Sequence, residues 1–330
     1  PEGSSNTAAV RGAGIFKSED AGATWVQIAS TDNPDFYFVN RLEFDPSDST
    51  VLLAATGTGI WRSTDSGTTW NQRLSINALD VKFNPNNADR VVAGGHHEND
   101  GPWYSEDGGI TWQQSTGAGG HRQEMAWAPS AKGASTVYAA VSDDPGRIKI
   151  WISTDNGQTY NLMTSGNGIQ TWASYNNTIW VDPTDETFMI VGGVRLYQSI
   201  DSGTSLNQRF NSVHADMHRI VPHPDFDGVN NKTVFFATDG GIFQTNDVYG
   251  TSAFDLNNDL GVTQFYGGGI NPATGHIMGG TQDNGTLFFG GDPQDWDHLF
   301  GGDGGYGAAD PTDPNYFYGE VQRALIHRNT

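Results

Sequence analysis

The 330-residue chain contains no cysteine. That excludes a disulfide framework and every thiolate metal site, while leaving the compartment open. Positive charge is scarce: 17 lysines and arginines stand against 38 aspartates and glutamates, for a formal net charge of −21. A surface of that sign argues against nucleic acid and anionic membranes as partners, since both need basic patches, and it suits solubility and divalent cations. No run of about 18 apolar residues is present, so no segment reads as inserting into a membrane. No window carries the 3.6-residue apolar period of a long amphipathic helix. A signal peptide is also missing, but the chain opens at Pro1 without a methionine. The expectation is a processed or trimmed start, which by itself hides the address; the acidic surface suits a protein that is secreted or held at the cell surface.

What is abundant is glycine, at 43 residues, with 10 tryptophans, 11 tyrosines and 17 phenylalanines. Such a composition, broken into short apolar runs, predicts many short strands joined by tight turns. An internal repeat dominates. Ser18-Glu-Asp-Ala-Gly-Ala-Thr-Trp25 returns as Ser63-Thr-Asp-Ser-Gly-Thr-Thr-Trp70, Ser105-Glu-Asp-Gly-Gly-Ile-Thr-Trp112 and Ser153-Thr-Asp-Asn-Gly-Gln-Thr-Tyr160. Ser199-Ile-Asp-Ser-Gly-Thr-Ser-Leu206 is weaker, and Thr245-Asn-Asp-Val248 is decayed. The aspartates fall at Asp20, Asp65, Asp107, Asp155, Asp201 and Asp247, with a remnant at Asp292, so the steps are 45, 42, 48, 46, 46 and 45. A period in the mid-forties fits one four-stranded propeller blade.

Each unit also holds an apolar run ending in a proline turn, as in Leu42-Glu-Phe-Asp-Pro46 and Val81-Lys-Phe-Asn-Pro85. A small apolar strand, a glycine turn and an aromatic strand follow. The fold class read from this is all-β: a β-propeller of four-stranded antiparallel blades, with the aspartate box in the hairpin between third and fourth strands. Innermost strands begin near residues 40, 79, 124, 178, 218, 264 and 306, which makes seven blades in a single domain over 1–330. The seventh would be closed by joining partial blades from the two ends; an eighth blade, or a longer parent chain, stays open. In the box, aspartate can accept turn N–H bonds, glycine permits positive φ, and tryptophan packs between sheets. The six box aspartates are therefore structural.

These boxes resemble the bacterial neuraminidase (Asp-box) repeat shared by sialidases, sortilin-type receptors and two-propeller xyloglucanases. The segments His214-Ala-Asp-Met-His218, Thr238-Asp-Gly-Gly241, Gly280-Thr-Gln-Asp-Asn-Gly285 and Gly302-Asp-Gly-Gly305 are similar to those of secreted glycosyl-hydrolase-like repeat proteins. The resemblance implies a fold and leaves activity open. No sialidase-type Arg-Ile-Pro segment is found, and 330 residues hold one propeller rather than the two that form a xyloglucanase cleft.

Propeller geometry gathers two sets of loops, fourth-to-first and second-to-third, at one mouth, where ligands bind. Candidate ligand-binding residues there are His96, His97, Glu98, His121, Arg122, His214, His218 and Trp172. His214, Asp216 and His218 alternate; on an extended strand they share a face and can ligate a divalent metal, or they hydrogen-bond neighbouring loops instead. Met217 and Arg219 would then face blade packing. Asp216, Asp239, Asp283 and Asp303 are the candidate catalytic carboxylates; the last three, in glycine-rich turns, could hold Ca²⁺, act as an acid–base pair, or cap turns. Phe36, Tyr37, Trp172, Tyr175, Phe265 and Tyr266 are candidate sugar-stacking rings. Asn176, Asn231 and Asn284 match a glycosylation acceptor pattern.

Three functions follow. The first is an extracellular propeller that binds a glycan or protein partner or acts as a scaffold. The second is a glycoside hydrolase with a carboxylate pair at the channel mouth. The third is a structural subunit of a self-assembling surface array.

Overall fold

The apolar run, proline turn, small strand and aromatic strand of each repeat fold into one antiparallel sheet. The computed structural model describes residues 11–97, 101–128, 135–143, 146–164, 168–172, 175–257, 263–293 and 295–329. No α-helix occurs among them. The chain divides into two compact units: one runs up to Thr238 and includes Gln244–Phe254, the other holds Asp239–Phe243 and everything from Asp255.

The first unit opens with a hairpin of β1 (Phe16–Lys17) and β2 (Val26–Gln27). Next comes a four-stranded sheet of β3 (Val39–Phe44), β4 (Leu52–Thr56), β5 (Gly59–Ser63) and β6 (Asn71–Leu74). β7 (Ala78–Asn84), β8 (Asn87–His97), β9 (Trp103–Ser105) and β10 (Gln113–Gln114) repeat the order. So do β11 (Gly120–Trp127), β12 (Val137–Asp143), β13 (Arg147–Ser153) and β14 (Asn161–Leu162), with β15 (Ile169–Gln170) also pairing β13. β16 (Thr178–Val181), β17 (Met189–Gly192), β18 (Leu196–Ser199) and β19 (Asn207–Arg209) form the next sheet, followed by the pair β20 (Met217–Pro222) and β21 (Val234–Thr238). β22 (Gly241–Thr245) and β23 (Phe254–Asp255) lie where the units divide. The second unit has a four-stranded sheet, β24 (Phe265–Ile270), β25 (Ile277–Thr281), β26 (Gly285–Phe289) and β27 (Trp296–Phe300). Its other sheet is three-stranded, β28 (Gly304–Ala309), β29 (Phe317–Val321) and β30 (Leu325–Asn329).

Second strands such as β4, β12 and β17 are small and apolar because both faces are covered. Leu53 and Ile60 of one sheet pack with Val81, Phe83 and Val91 of the next. Val92 then packs with Met125, Trp127 and Tyr160, and Tyr138 and Ile150 with Ile179 and Met189. Each such fully buried side chain contributes about 1.5–3 kcal/mol.

The repeated aspartate turns fall between the third and fourth strands of their sheets. Around Asp65, the Ser63 hydroxyl and the Thr69 N–H both donate to Oδ1 at 2.8 Å, and the Thr69 hydroxyl donates to Oδ2 at 2.7 Å. The Gly67 N–H donates to Ser63 Oγ, and Trp70 Nε1 to the Gly67 carbonyl. Ser66 and Gly67 take φ of +57° and +86°, which closes the turn. Asp20, Asp107, Asp155 and Asp201 are held alike, and the threonine or serine donors keep these carboxyls below the usual range, Asp20 at about 2. Phe36, read as a sugar platform, is 2% exposed and packs on Trp61 and Trp70. It is core because the turn tryptophan needs an apolar wall.

The decayed turn at Asp247 carries a different clamp. Tyr249, two residues on, donates its hydroxyl to Oδ2 of the fully buried Asp182 at 2.6 Å, and its phenol is pushed up to about 12, first by burial and then by that bond. Tyr249→Phe leaves a buried carboxylate oxygen without this donor. The expected loss of unfolding free energy is about 1–3 kcal/mol, read as a lower urea midpoint at unchanged slope.

Candidate functional site

One position of the repeat supplies a chain of buried charge in the first unit. The residue just before each apolar run is Arg41, Asp80, Glu124, Thr178 or Arg219. Arg41 Nε donates to Asp80 Oδ1 and its Nη2 to Glu124 Oε2, both at 2.8 Å. Asp80 Oδ2 accepts the Met125 N–H, and Lys82 stands 3.8 Å from Asp80 and 3.4 Å from Glu43. Burial works against ionising Asp80, yet Lys82 and Arg41 outweigh it and hold the carboxyl below its ordinary value. Burial raises the Glu43 carboxyl. Arg219 was expected to face blade packing; it lies instead in the field of Arg41, Asp80 and Glu124. Sequence reading missed Arg41, Asp80, Lys82 and Glu43. For Arg41 and Asp80 the signal was opposite charges at one repeat position, immediately before an apolar run; Glu43 and Lys82 are the second residues of those runs.

Arg122 extends this network toward the loops. Its Nη2 donates to Glu124 Oε1 at 2.8 Å and its Nη1 to the Tyr175 carbonyl at 2.7 Å. Arg122, a candidate at the loop mouth, and Glu124 lie in β11, 4% and 3% exposed. His96 and His97, also candidates at that mouth, belong to β8, because their backbone groups pair with β11: His97 opposite Gly120, His96 opposite Arg122. That pairing sets the His96 and His121 rings 6.2 Å apart. Glu98 lies outside the described residues. Beside His96 opens a cavity of about 330 Å³ lined by Ser75, Asn77, Trp103 and Gln123 among others. It offers carboxamide, hydroxyl and imidazole groups next to an indole, a mixture that can hydrogen-bond and stack at once.

Arg122 leads through Tyr175 to a second cluster. Asn176 Oδ1 accepts the Trp172 N–H and the Thr171 hydroxyl at 2.7 Å, and its Nδ2 donates to Asp216 Oδ1. Tyr175 meets His218 edge-on at 5.1 Å. Asn176 is fully buried, so it is closed as a glycosylation acceptor. The metal reading of His214, Asp216 and His218 needs correction. β20 begins only at Met217, and Asp216 has φ +63°, in the left-handed region. The two-residue alternation of a strand therefore does not run through the three. Among the described residues no three histidines and carboxylates gather to hold a metal ion.

In the second unit, Asp303 Oδ1 accepts the Asp283 N–H at 2.9 Å and its Oδ2 accepts from Gln322 Nε2 at 3.1 Å. Tyr266 lies nearby, its phenol raised first by burial and then by Asp303 and Asp283. Asp283 and Asp303 thus adjoin, while Asp216 belongs to the first unit. Phe265 and Tyr266 are 46% and 45% exposed, and Trp172 is 58% exposed.

Comparison with known proteins places this geometry in a fold. Residues 13–148 match the profile of the Sortilin-Vps10 family (Sortilin, neurotensin receptor 3). The GH74 xyloglucanase from Xanthomonas campestris is similar over 90% of this chain, with 19% identity and a TM-score of 0.67. The chain spans 52% of that enzyme's length. YCF48 from Cyanidioschyzon merolae aligns over 90% of this chain and 96% of its own, with 11% identity and a TM-score of 0.48. No curated protein sequence matches. The chain has the all-β architecture of propeller proteins, built of four-stranded antiparallel sheets.

Proposed function

We propose that this chain is a recognition or scaffold module of an exported Asp-box propeller, and that the loop end of its first unit takes a glycan. One arrangement carries the reading: Arg122 and Asn176 tie the His96 cavity to the Trp172–Asp216 cluster, so exposed aromatic and polar groups stand on a rigid, buried frame. Ligand sites combine just such apolar surface with a few placed polar groups. Glu124 and Asp80 are locked to arginines, which removes them from proton transfer. A glycan array followed by surface plasmon resonance tests the proposal. The expected result is retention of a defined glycan class, lost in Trp172→Ala and weakened in His96→Ala, with no sugar released.

The contact of Asp283 with Asp303 favours a second reading, a glycoside hydrolase worked by that pair. A polysaccharide hydrolysis screen separates the two. Release of reducing ends that stops in Asp303→Asn would install the enzyme in place of the module.

A further inference from the structure

A second cavity of the first unit, about 360 Å³, has Arg209 as its one charged lining residue. Strand register fixes the side on which that arginine stands. Gly192 pairs with Leu196, and Leu196 with Arg209. Directly paired residues share a sheet face, and a Cβ on Gly192 would come within 2.5 Å of the Met217 Cβ. Arg209 therefore lines the cavity from the face turned toward β20. Gln198, 7% exposed, accepts the Arg209 Nε–H at 2.9 Å and fixes the guanidinium. Among the described residues the Arg209 side chain makes no other hydrogen bond and no ion pair, so both Nη groups are left to donate. Residues 251–253, which lead into β23, close the cavity from the neighbouring sheet.

The turn after Arg209 brings in further groups. Phe210, 2% exposed, packs on Phe236 at 5.1 Å, and this anchorage holds it at φ +52°, a conformation that bulky residues rarely take. Backbone of this kind gathers at binding sites. Ser212 then donates its hydroxyl to the Ala253 carbonyl at 3.0 Å. Asn211 Oδ1 accepts from Gln208 Nε2 at 2.8 Å, which leaves Asn211 Nδ2 as a donor. With the Thr251 and Ser252 hydroxyls, the lining is mostly donors. No aspartate or glutamate lines it, although the chain has 38. A net charge of −21 repels acidic polymers from the surface at large, so an anion is caught only where acids are missing. An arginine whose Nε is engaged still offers a planar pair of Nη N–H groups, which matches a carboxylate fork to fork. Hydroxyls and carboxamides match the hydroxyls of a sugar, and the volume lies in the range of small-molecule sites.

We infer that this cavity binds a uronic acid residue of a polysaccharide, with the carboxylate on Arg209 and the sugar hydroxyls on Asn211, Thr251 and Ser252. None of these residues belongs to the loop-end site, so either reading can fail while the other stands. Calorimetry should compare an oligogalacturonate with its fully methyl-esterified form, which keeps the sugars and removes the charge, and with an oligoglutamate peptide. The free acid should bind about tenfold more tightly than the ester or better, and the peptide should bind more weakly than the acid. Hydrogen exchange with the acid bound should slow in residues 207–213 and 251–253. Arg209→Gln should bring the acid down to the affinity of the ester, and Arg209→Lys should restore only part of the difference, because an ammonium lacks the fork. No binding of the acid, equal affinity for acid and ester, or protection confined to other peptides would overturn the inference. Tighter binding of the glutamate peptide would overturn it in favour of a protein partner. The ester comparison and the exchange map need no variant, so they decide the matter even if Arg209→Gln fails to fold.

Discussion

Replacing Arg41 with methionine should lower the free energy of unfolding by about 3 kcal/mol, the lower end of what breaking a buried ion pair costs. Methionine keeps much of the volume, so the loss isolates charge from packing. Arg41 bridges Asp80, fully buried, and Glu124, 3% exposed. Without it Asp80 keeps Lys82 and the Met125 N–H, and Glu124 keeps Arg122, which places the cost at the low end of the range. Arg41→Lys should rescue little, because one ammonium cannot reproduce a guanidinium fork that spans two carboxylates. The acid limb of stability should move as well. Asp80 titrates below its ordinary value, so its contribution is complete above the unfolded pKa of about 3.9 and is lost as pH falls through the folded value. Removing Arg41 raises that folded value toward the unfolded one, so Asp80 has less stability to lose on acidification and the variant's acid limb should be shallower than the wild type's. Glu43, raised by burial, has the opposite sign: it favours the fold below its unfolded pKa and gives that up as pH rises through the folded one. It acts against the Asp80 effect. Thermal melts across the acid range that superimpose for wild type and Arg41→Met would refute this account of the network.

The contrast between what could be read in the chain and what could not follows the span of the interactions. The bonds accepted by the Asp65 carboxylate and by Ser63 Oγ join residues two to four apart, from Ser63 to Thr69, so eight letters suffice to specify them. The same holds at Asp107 and Asp155, and it placed the hairpins between third and fourth strands. Arg41 reaches Glu124 across 83 residues and Asn176 reaches Asp216 across 40, and nothing local announces either. His214 to His218 looked like an alternating strand, but a distant carboxamide and the carbonyl of Val194 hold Asp216 in a conformation that ends the alternation. Glycine has two uses here. Gly67 closes a turn, whereas Gly94 and Gly95 lie within a strand pair, and a Cβ at Gly94 would come within 2.1 Å of the Gln123 carbonyl oxygen. There glycine marks the close approach of two strands.

That second use of glycine governs the other unit, and Gly280→Val should disrupt it, at about 3 kcal/mol, the upper end of ordinary overpacking. β24, β25 and β28 read Phe-Tyr-Gly-Gly-Gly-Ile, Ile-Met-Gly-Gly-Thr and Gly-Gly-Tyr-Gly-Ala-Ala. Apolar side chains bring the sheets of the first unit together; here the backbones themselves meet. A Cβ on Gly280 would sit 2.0 Å from the Gly305 carbonyl oxygen and 2.5 Å from its nitrogen. A Cβ on Gly304 would sit 2.6 Å from the Gly280 Cα, and one on Gly269 2.8 Å from the Ala308 Cα. These obstacles are main chain in paired strands, which cannot swing aside as a lysine or glutamine would. Valine adds two branches to the Cβ that already collides, so β25 and β28 must separate and the contact between the two sheets goes with them. Gly290→Ala is the matched control: its nearest neighbour is the Phe288 ring at 3.6 Å, an ordinary contact. Hydrogen exchange read peptide by peptide should show faster exchange across β24–β28 in Gly280→Val, with the peptides of β7–β12 unchanged, and wild-type protection throughout in Gly290→Ala. Wild-type protection of β25 and β28 in Gly280→Val would mean that the backbones are not in contact, and the glycine runs would revert to turns.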